Sequence, residues 1–279
     1  MNKPYGKIIL ITGGSAGIGR AAAEMFARDG YEVWAASRRC EGKRETVGAG
    51  VIRSVCMDVC DDESVARAVD LILKESGTIG TVLHCAGWGI AGACEDTPID
   101  AVKAQMETNY YGVLRVNRAV LPSMRAQKCG LILAVSSVAA VFSIPFQSHY
   151  CSTKRALESY IETLRMELRP YGIRASILQP GDTKTEFTGA RRFEMPDESP
   201  YRAQALKSVA VMERDEQNGR TPESVAKVAF SLAHRKKPPV KVTCGLDYKL
   251  MRALSGILPL RLVERILRLM YIANSRIVK

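Results

Sequence analysis

The chain has 279 residues, 47% of them hydrophobic, and carries a formal net charge of +11. That length buries one large core and is short for two, so a single domain over residues 1–279 is expected. The eight cysteines show no CxxC or disulfide-scaffold spacing, and the three histidines (His84, His149 and His234) are scattered. No apolar stretch reaches bilayer length, so a stapled secreted scaffold, a metal site and a membrane span are all disfavoured.

Cys56 and Cys60 lie on a strand-to-helix passage with no histidine beside them. Reduced thiols and a cytoplasmic setting are expected, with membrane association as a variant. Lys7 precedes an apolar run, Ile8–Ile11, that is too short and wrongly flanked for a signal peptide. The positive excess has no basic stripe interleaved with aromatics, which argues against nucleic acid. An anionic cofactor, an anionic membrane surface or a solvated basic face accounts for it better.

In chain order, Lys7–Thr12 reads as a strand. It runs into a glycine turn containing Gly13, Ser15, Gly17, Ile18 and Gly19, then a helix over Arg20–Asp29 closed by Gly30. Tyr31–Ala36 reads as the next strand. A strand, glycine turn, helix and strand form the setting in which backbone amides at a helix N-terminus receive a pyrophosphate. After the second strand stand Ser37, Arg38 and Arg39, followed by Lys43 and Arg44. A carboxylate there would serve ribose hydroxyls, whereas a guanidinium suits a 2′-phosphate. NADP(H) is favoured and NAD(H) is the alternative.

Gly50–Met57 reads as a third strand, and Asp62–Glu75 as an amphipathic helix with Val65, Ala68, Val69 and Ile72 on one face. Thr81–Cys85 is a fourth strand, and His84 is expected to be a satisfied, half-buried histidine. A long helical region spans Ile99–Ala126, with Asn109 at an unfavourable mid-helix place. Leu131–Val135 is a buried strand that ends beside Ser136 and Ser137. Alternation along a strand turns these two serines to opposite faces, and Ser137 is the one expected at the site.

Tyr150 and Lys154 are four residues apart on a helix expected over Tyr150–Arg169, so they share a face. A free phenol titrates near pH ~10 and is a poor acid–base group at neutrality. A nearby ammonium and a helix N-terminus favour the phenolate, and a shift of about three units amounts to roughly 4 kcal/mol. Ile173–Leu178 is the sixth strand. Residues 186–219 lose periodicity and carry Pro196 and Pro200, as a lid or binding loop does. Phe187, Phe193 and Met195 are candidates to line it. Thr221 and Pro222 open a helix that runs to about His234, and Val240–Thr243 reads as a last edge strand.

The helical extension over residues 250–279 includes a segment at Pro259–Ile272. Leu262, Val263, Ile266, Leu267 and Met270 share one of its faces, with Arg261, Glu264, Arg265 and Arg268 on the other. It packs over a substrate pocket or a neighbouring subunit, or it lies on an anionic membrane.

The glycine turn at the front and the Ser137…Tyr150…Lys154 spacing later resemble the short-chain dehydrogenase/reductase family over roughly residues 5–245. The resemblance implies an α/β single-domain, doubly wound parallel sheet and hydride transfer between a dinucleotide and a carbonyl carbon. It implies that Asp58 and Val59 lie against adenine and that Ala86 and Gly87 leave room for ribose. It further implies that Asn109 holds a water beside Lys154, that Pro180, Gly181, Thr183 and Thr185 meet nicotinamide and diphosphate, and that two long helices pair subunits into a homodimer or homotetramer. His84 and Cys85 stand where the family usually has two asparagines. The Pro238–Gly245 pattern resembles, more loosely, the branch with 17β-hydroxysteroid dehydrogenases. The expectation is therefore a ketone/secondary-alcohol oxidoreductase in which Ser137, Tyr150, Lys154 and Asn109 are catalytic. Its substrate is expected to be a bulky steroid, retinoid or lipid ketone. A small polar ketone, a non-catalytic dinucleotide-binding regulator and a sugar-nucleotide epimerase or dehydratase are the alternatives.

Overall fold

The computed structural model describes residues 3–273. Strand β1 (Ile8–Thr12) leads through the glycine turn into α1 (Gly17–Arg28) and β2 (Glu32–Ser37). Then come β3 (Arg44–Val47), β4 (Gly50–Cys56), α2 (Asp62–Ser76), β5 (Thr81–His84), β6 (Ile90–Ala91) and α3 (Ile99–Met106). A π-helical turn at Glu107–Tyr111 joins α3 to α4 (Gly112–Gln127). Strand β7 (Gly130–Val135), α5 (Ser148–Leu168) and β8 (Ile173–Gln179) follow. The expected lid holds α6 (Phe187–Ala190), β9 (Arg192–Phe193) and α7 (Arg202–Gln217). The chain continues through α8 (Pro222–Ala233), β10 (Lys241–Thr243), α9 (Leu246–Ser255) and α10 (Leu260–Arg268), which passes into a second π turn at Leu269–Ala273.

The main sheet runs β10-β8-β7-β5-β1-β2-β4-β3, and every pairing is parallel except the β3–β4 edge. Chain order reverses on either side of β1, so the crossovers leave a crevice at the carboxyl ends of β1 and β5. Side chains alternate between the two faces. Leu10, Trp34, Val82 and Ile132 pack with α2, α4 and α5, whereas Ile9, Ile11, Leu83, Leu131 and Leu133 pack with α1 and α8. The fully buried Ala22, Ala23 and Ala27 let α1 lie close against the sheet.

Several elements depart from expectation. Strand β3 is an additional antiparallel edge whose residues are mostly exposed, so it lacks an apolar alternation. The helical region predicted over Ile99–Ala126 is interrupted at Asn109, where the backbone widens into the π turn. The lid is built around α7, which mixes five buried residues with a charged remainder. Helix α9 buries none of its residues fully. Thr221 stands at the N-cap of α8 without a side-chain cap bond. Cys40 and Cys56 form a disulfide, which corrects the expectation of reduced thiols for this pair: the loop after β2 folds back onto the end of β4. The part of the extension beyond residue 273 lies outside the described residues.

Candidate active site

The glycine turn is shaped by close backbone approach. Gly13 has φ +66, and a Cβ on it would stand 2.8 Å from the backbone nitrogen of Ala86. A Cβ on Gly19 would stand 2.1 Å from the carbonyl oxygen of Gly13. The turn is therefore locked to the end of β5, and Thr12 Oγ1 fixes the opposite side by accepting from the Ala86 amide at 3.3 Å. Ala16, the N-cap of α1, supplies no side-chain cap bond, so the first-turn amides remain open to an anion.

A cavity of about 660 Å³ opens at these strand ends. Gly13, Ser15, Gly17, Ile18, Gly19, Ser37, Arg38, Asp58, Val59, Ala86, Gly87, Pro180, Gly181, Thr183 and Thr185 line it, together with Ser137, Tyr150 and Lys154. Two predicted site residues do not. Arg39 turns outward in a loop where the Ser37 hydroxyl donates to the Arg39 carbonyl at 2.6 Å. Asn109 lies behind the wall. Its Oδ1 accepts from the Trp88 amide at 3.0 Å, and its Nδ2 donates to Trp88 O at 2.9 Å and to Thr153 Oγ1 at 3.2 Å. Asn109 thus ties the segment after β5 to the second turn of α5, and the π turn is what brings it there.

Ser137 caps a short turn after β7, its hydroxyl accepting from the Ala139 amide at 3.1 Å. Ser136 faces the other way and donates to Glu158 at 2.7 Å, inside a buried group with Gln179 and Lys241. Lys154 donates to the Val135 carbonyl at 3.0 Å, and its ammonium lies 5.6 Å from the centre of the Tyr150 ring. Burial brings Lys154 down to about 8. Burial also raises the Tyr150 phenol well above its ordinary range; the Ser137 hydroxyl and, at longer range, Arg191 oppose that shift. This corrects the expectation of an acidified phenol: desolvation outweighs the neighbouring charges. His84 is fully buried rather than half-buried. It meets Asn117 at 3.0 Å and is pulled down to about 4 by burial, so it is neutral at physiological pH.

Arg38 lines the cavity with no carboxylate partner among the described residues, and the Cys40–Cys56 disulfide anchors its loop. The open amides, the unpaired guanidinium and the absence of an acid at the end of β2 fit a phosphate-bearing dinucleotide.

The other half of the cavity was legible in part: Phe187 and the face carrying Leu267 and Met270 line it as expected, whereas Phe142, Ile144, Met251 and Tyr271 were not foreseen. Phe187 of the lid packs 5.5 Å from the Tyr150 ring, centre to centre. Phe142, Ile144, Met251, Leu267, Met270 and Tyr271 add apolar surface. Phe193 and Met195 do not reach the wall. Glu216 lines the cavity and accepts from Thr188 at 2.6 Å and from the buried Arg191. Asp182 accepts from the Tyr248 hydroxyl, whose oxygen in turn accepts from the Asp182 amide at 3.1 Å. Burial raises the carboxyl groups of both Glu216 and Asp182.

Fold and site define a doubly wound dinucleotide fold with a serine, a phenol and an amine gathered at its cleft. A family model for short chain dehydrogenases matches residues 7–195. A 3-ketodihydrosphingosine reductase of Bacteroides thetaiotaomicron is 35% identical over 268 residues, covering 95% of this chain and 98% of that one. Retinol dehydrogenase 8 of Bos taurus is 30% identical, covering 91% and 86%. Among solved structures, a short-chain dehydrogenase from Streptomyces avermitilis superposes with a TM-score of 0.80 at 27% identity, covering 92% and 94%. The chain belongs to the short-chain dehydrogenase/reductase family and is an oxidoreductase acting on CH–OH groups, interconverting a ketone and an alcohol.

Proposed function

We propose that the protein is an NADP(H)-dependent reductase of a long-chain lipid ketone. The carrying observation is the single cavity that joins the glycine turn and Arg38 at one end, passes Ser137, Tyr150 and Lys154, and ends among Phe187, Met251, Leu267 and Met270. The first-turn amides of α1 would hold the diphosphate, Thr183 and Thr185 the adjoining part, and Arg38 the 2′-phosphate. When bound, the dinucleotide supplies or accepts the hydride. Tyr150 gives its proton to the carbonyl oxygen in reduction and takes one from the alcohol in oxidation. Ser137 donates a hydrogen bond to that oxygen as charge develops on it. Lys154 sits beside Gly87, within reach of a ribose: a Cβ on Gly87 would stand 3.7 Å from its Nζ. Asn109 holds the Gly87–Trp88 segment against α5, and the proposed water beside Lys154 would rest on that same clamp.

The likeness to a reductase named for a sphingoid ketone favours an amine-bearing ketone. In a chain of net charge +11, Asp182, Glu216 and Asp247 line the cavity with Arg192, whereas the Glu186 carboxylate lies at the glycine turn, 3.5 Å from where a Cβ on Gly17 would stand. Arg191 and Arg220 neutralise two of these carboxylates, at Glu216 and Asp247. Asp182, held by Tyr248 and opposed by Arg192, is the carboxylate left to meet a cationic headgroup. Retinoids and steroid ketones carry no such charge, whereas a sphingoid ketone of the kind named for the Bacteroides relative does. NADPH oxidation should be fastest with the long-chain amino-ketone and weaker with its N-acylated form, a retinal and a steroid ketone. Equal or faster turnover of the uncharged compounds would defeat this substrate assignment.

Two further parts belong to this reading. Helix α10 and the π turn after it make peripheral membrane contact through exposed Leu260, Leu262, Ile266 and Leu269, beside Arg261, Arg265 and Arg268. No helix among the described residues is long and apolar enough to cross a membrane. The protein pairs into a homodimer through the α4–α5 side, where Tyr111 and Met166 are exposed. Sedimentation as a monomer at micromolar concentration would argue against that pairing.

A further inference from the structure

Helix α9 shows three faces with different duties. Tyr248 and Met251 look onto the catalytic cavity. Leu246, Leu250 and Leu254 recur every four residues and form an uncovered apolar stripe, with exposures of 80%, 61% and 44%, continued by Ile257 at 81%. The third face carries Lys249 and Arg252 and forms one wall of a separate groove of about 830 Å³ between α8, α9 and β10.

That groove is cationic. Lys227, Arg235, Lys241, Lys249 and Arg252 line it, and no carboxylate does. Lys241 is paired with Glu158 and Glu162. The other four have no carboxylate within ion-pair distance among the described residues. A cluster of unpaired cations raises the local potential for an anion, and here it borders a stripe of exposed leucines.

We propose that the α8–α9 groove is a binding site for the headgroups of anionic phospholipids in a bilayer, with the α9 stripe entering the interface beside it. Charge complementarity carries the assignment. The groove selects an anion, and the adjoining aliphatic stripe gains only from an occupant with an apolar part. A second copy of this chain seated symmetrically on the same stripe would bring the four cations against their own kind. The inference extends the membrane contact proposed for α10, and it does not depend on which ketone is reduced. It also places the lipid surface on the helix that closes the substrate cavity, so a lipid ketone can pass from the bilayer along α9.

The test is sedimentation of the full-length protein with phosphatidylcholine vesicles, with and without phosphatidylglycerol. Binding is expected only with the anionic lipid and should weaken with salt. The double variant Lys249→Glu, Arg252→Glu should partition at least about tenfold less. The variant Leu250→Ser, Leu254→Ser should also bind less. Both variants should keep wild-type turnover of a short-chain ketone in solution, which separates loss of docking from loss of the enzyme. Equal binding to neutral vesicles, or full binding by the charge-reversed variant, would overturn the proposal. So would a groove that takes up glycerol phosphate in a Lys249- and Arg252-dependent way while the protein ignores anionic vesicles, since the site would then serve a soluble anion.

Discussion

Burial keeps the Tyr150 phenol protonated, and this decides how each reaction direction responds to pH. A protonated phenol is ready to give its proton to a carbonyl, so reduction needs no prior ionisation. Oxidation needs the phenolate and should speed up as pH rises. Lys154, brought down to about 8, loses its charge as pH rises through that value. The kcat/KM for ketone reduction should therefore be flat near neutrality and decline above about 8; an unchanged rate well into the alkaline range would remove Lys154 from the reaction. Tyr150→Phe should lower kcat by about 10²–10⁴-fold, while dinucleotide affinity, read by fluorescence titration, stays near wild type. Ser136 and Ser137 could be told apart in advance because a strand has a period of two, and the structure separates them as that rule requires. Arg38 and Arg39 could not, because their directions depend on a loop whose course is set by a disulfide and a serine-to-carbonyl bond. Asn109 stood out as a mid-helix asparagine, yet its partners lie on two distant segments, and only the folded chain shows them.

The π turn around Asn109 is an element in its own right: it places one amide where three hydrogen bonds can be made to Trp88 and Thr153. Asn109→Ala should cost roughly 1–3 kcal/mol of stability in denaturant unfolding, because the half-buried Trp88 amide loses its acceptor while its carbonyl keeps only Gln105. The parallel strands and the helices between them were readable because they bury one face and repeat with a clear period. Elements at the margin were not. Strand β3 has one neighbour and exposed side chains, and α7 spreads its charges around its circumference. Helix α9 divides its apolar residues between the cavity and solvent, so no single face stands out even though Leu246, Leu250 and Leu254 keep helical spacing. Helix α10, by contrast, was readable from its apolar face, and it lies over the pocket as one expectation had it. Leu267 is buried, and with Met270 and Tyr271 it lines the cavity from above. Ending the chain after residue 258 should raise KM for a long-chain ketone about tenfold or more, given about 1.5–3 kcal/mol for each buried apolar side chain. A short ketone should be unaffected, and equal losses for both would mean that the helix supports the fold rather than the substrate.

At the scale of the whole molecule, the proposed partners fall on separate charged surfaces. Arg38 and the open amides of α1 face one anion at the carboxyl ends of the strands, and Asp182, Glu216 and Asp247 line the same cavity. One group of unpaired cations, Lys227, Arg235, Lys249 and Arg252, lies at the β10 edge, on the far side of β1 in the strand order from the β2 end that carries Arg38. The two proposed anionic partners would therefore not compete for one surface, and each could be weakened alone. A 2′-phosphate gains a charge-assisted, bidentate contact from Arg38 that a bare ribose does not. Such a bond contributes about 1.5–3 kcal/mol, so Arg38→Ala should raise KM for NADPH by roughly tenfold to a hundredfold and leave KM for NADH nearly unchanged. Added salt should act in the same direction, because Arg38 is exposed and screening reaches about 8 Å near physiological ionic strength. KM for NADPH should rise with salt in the wild type and much less in Arg38→Ala. If the two dinucleotides respond alike to the substitution and to salt, the guanidinium does not read the phosphate, and the enzyme is better assigned to NAD(H).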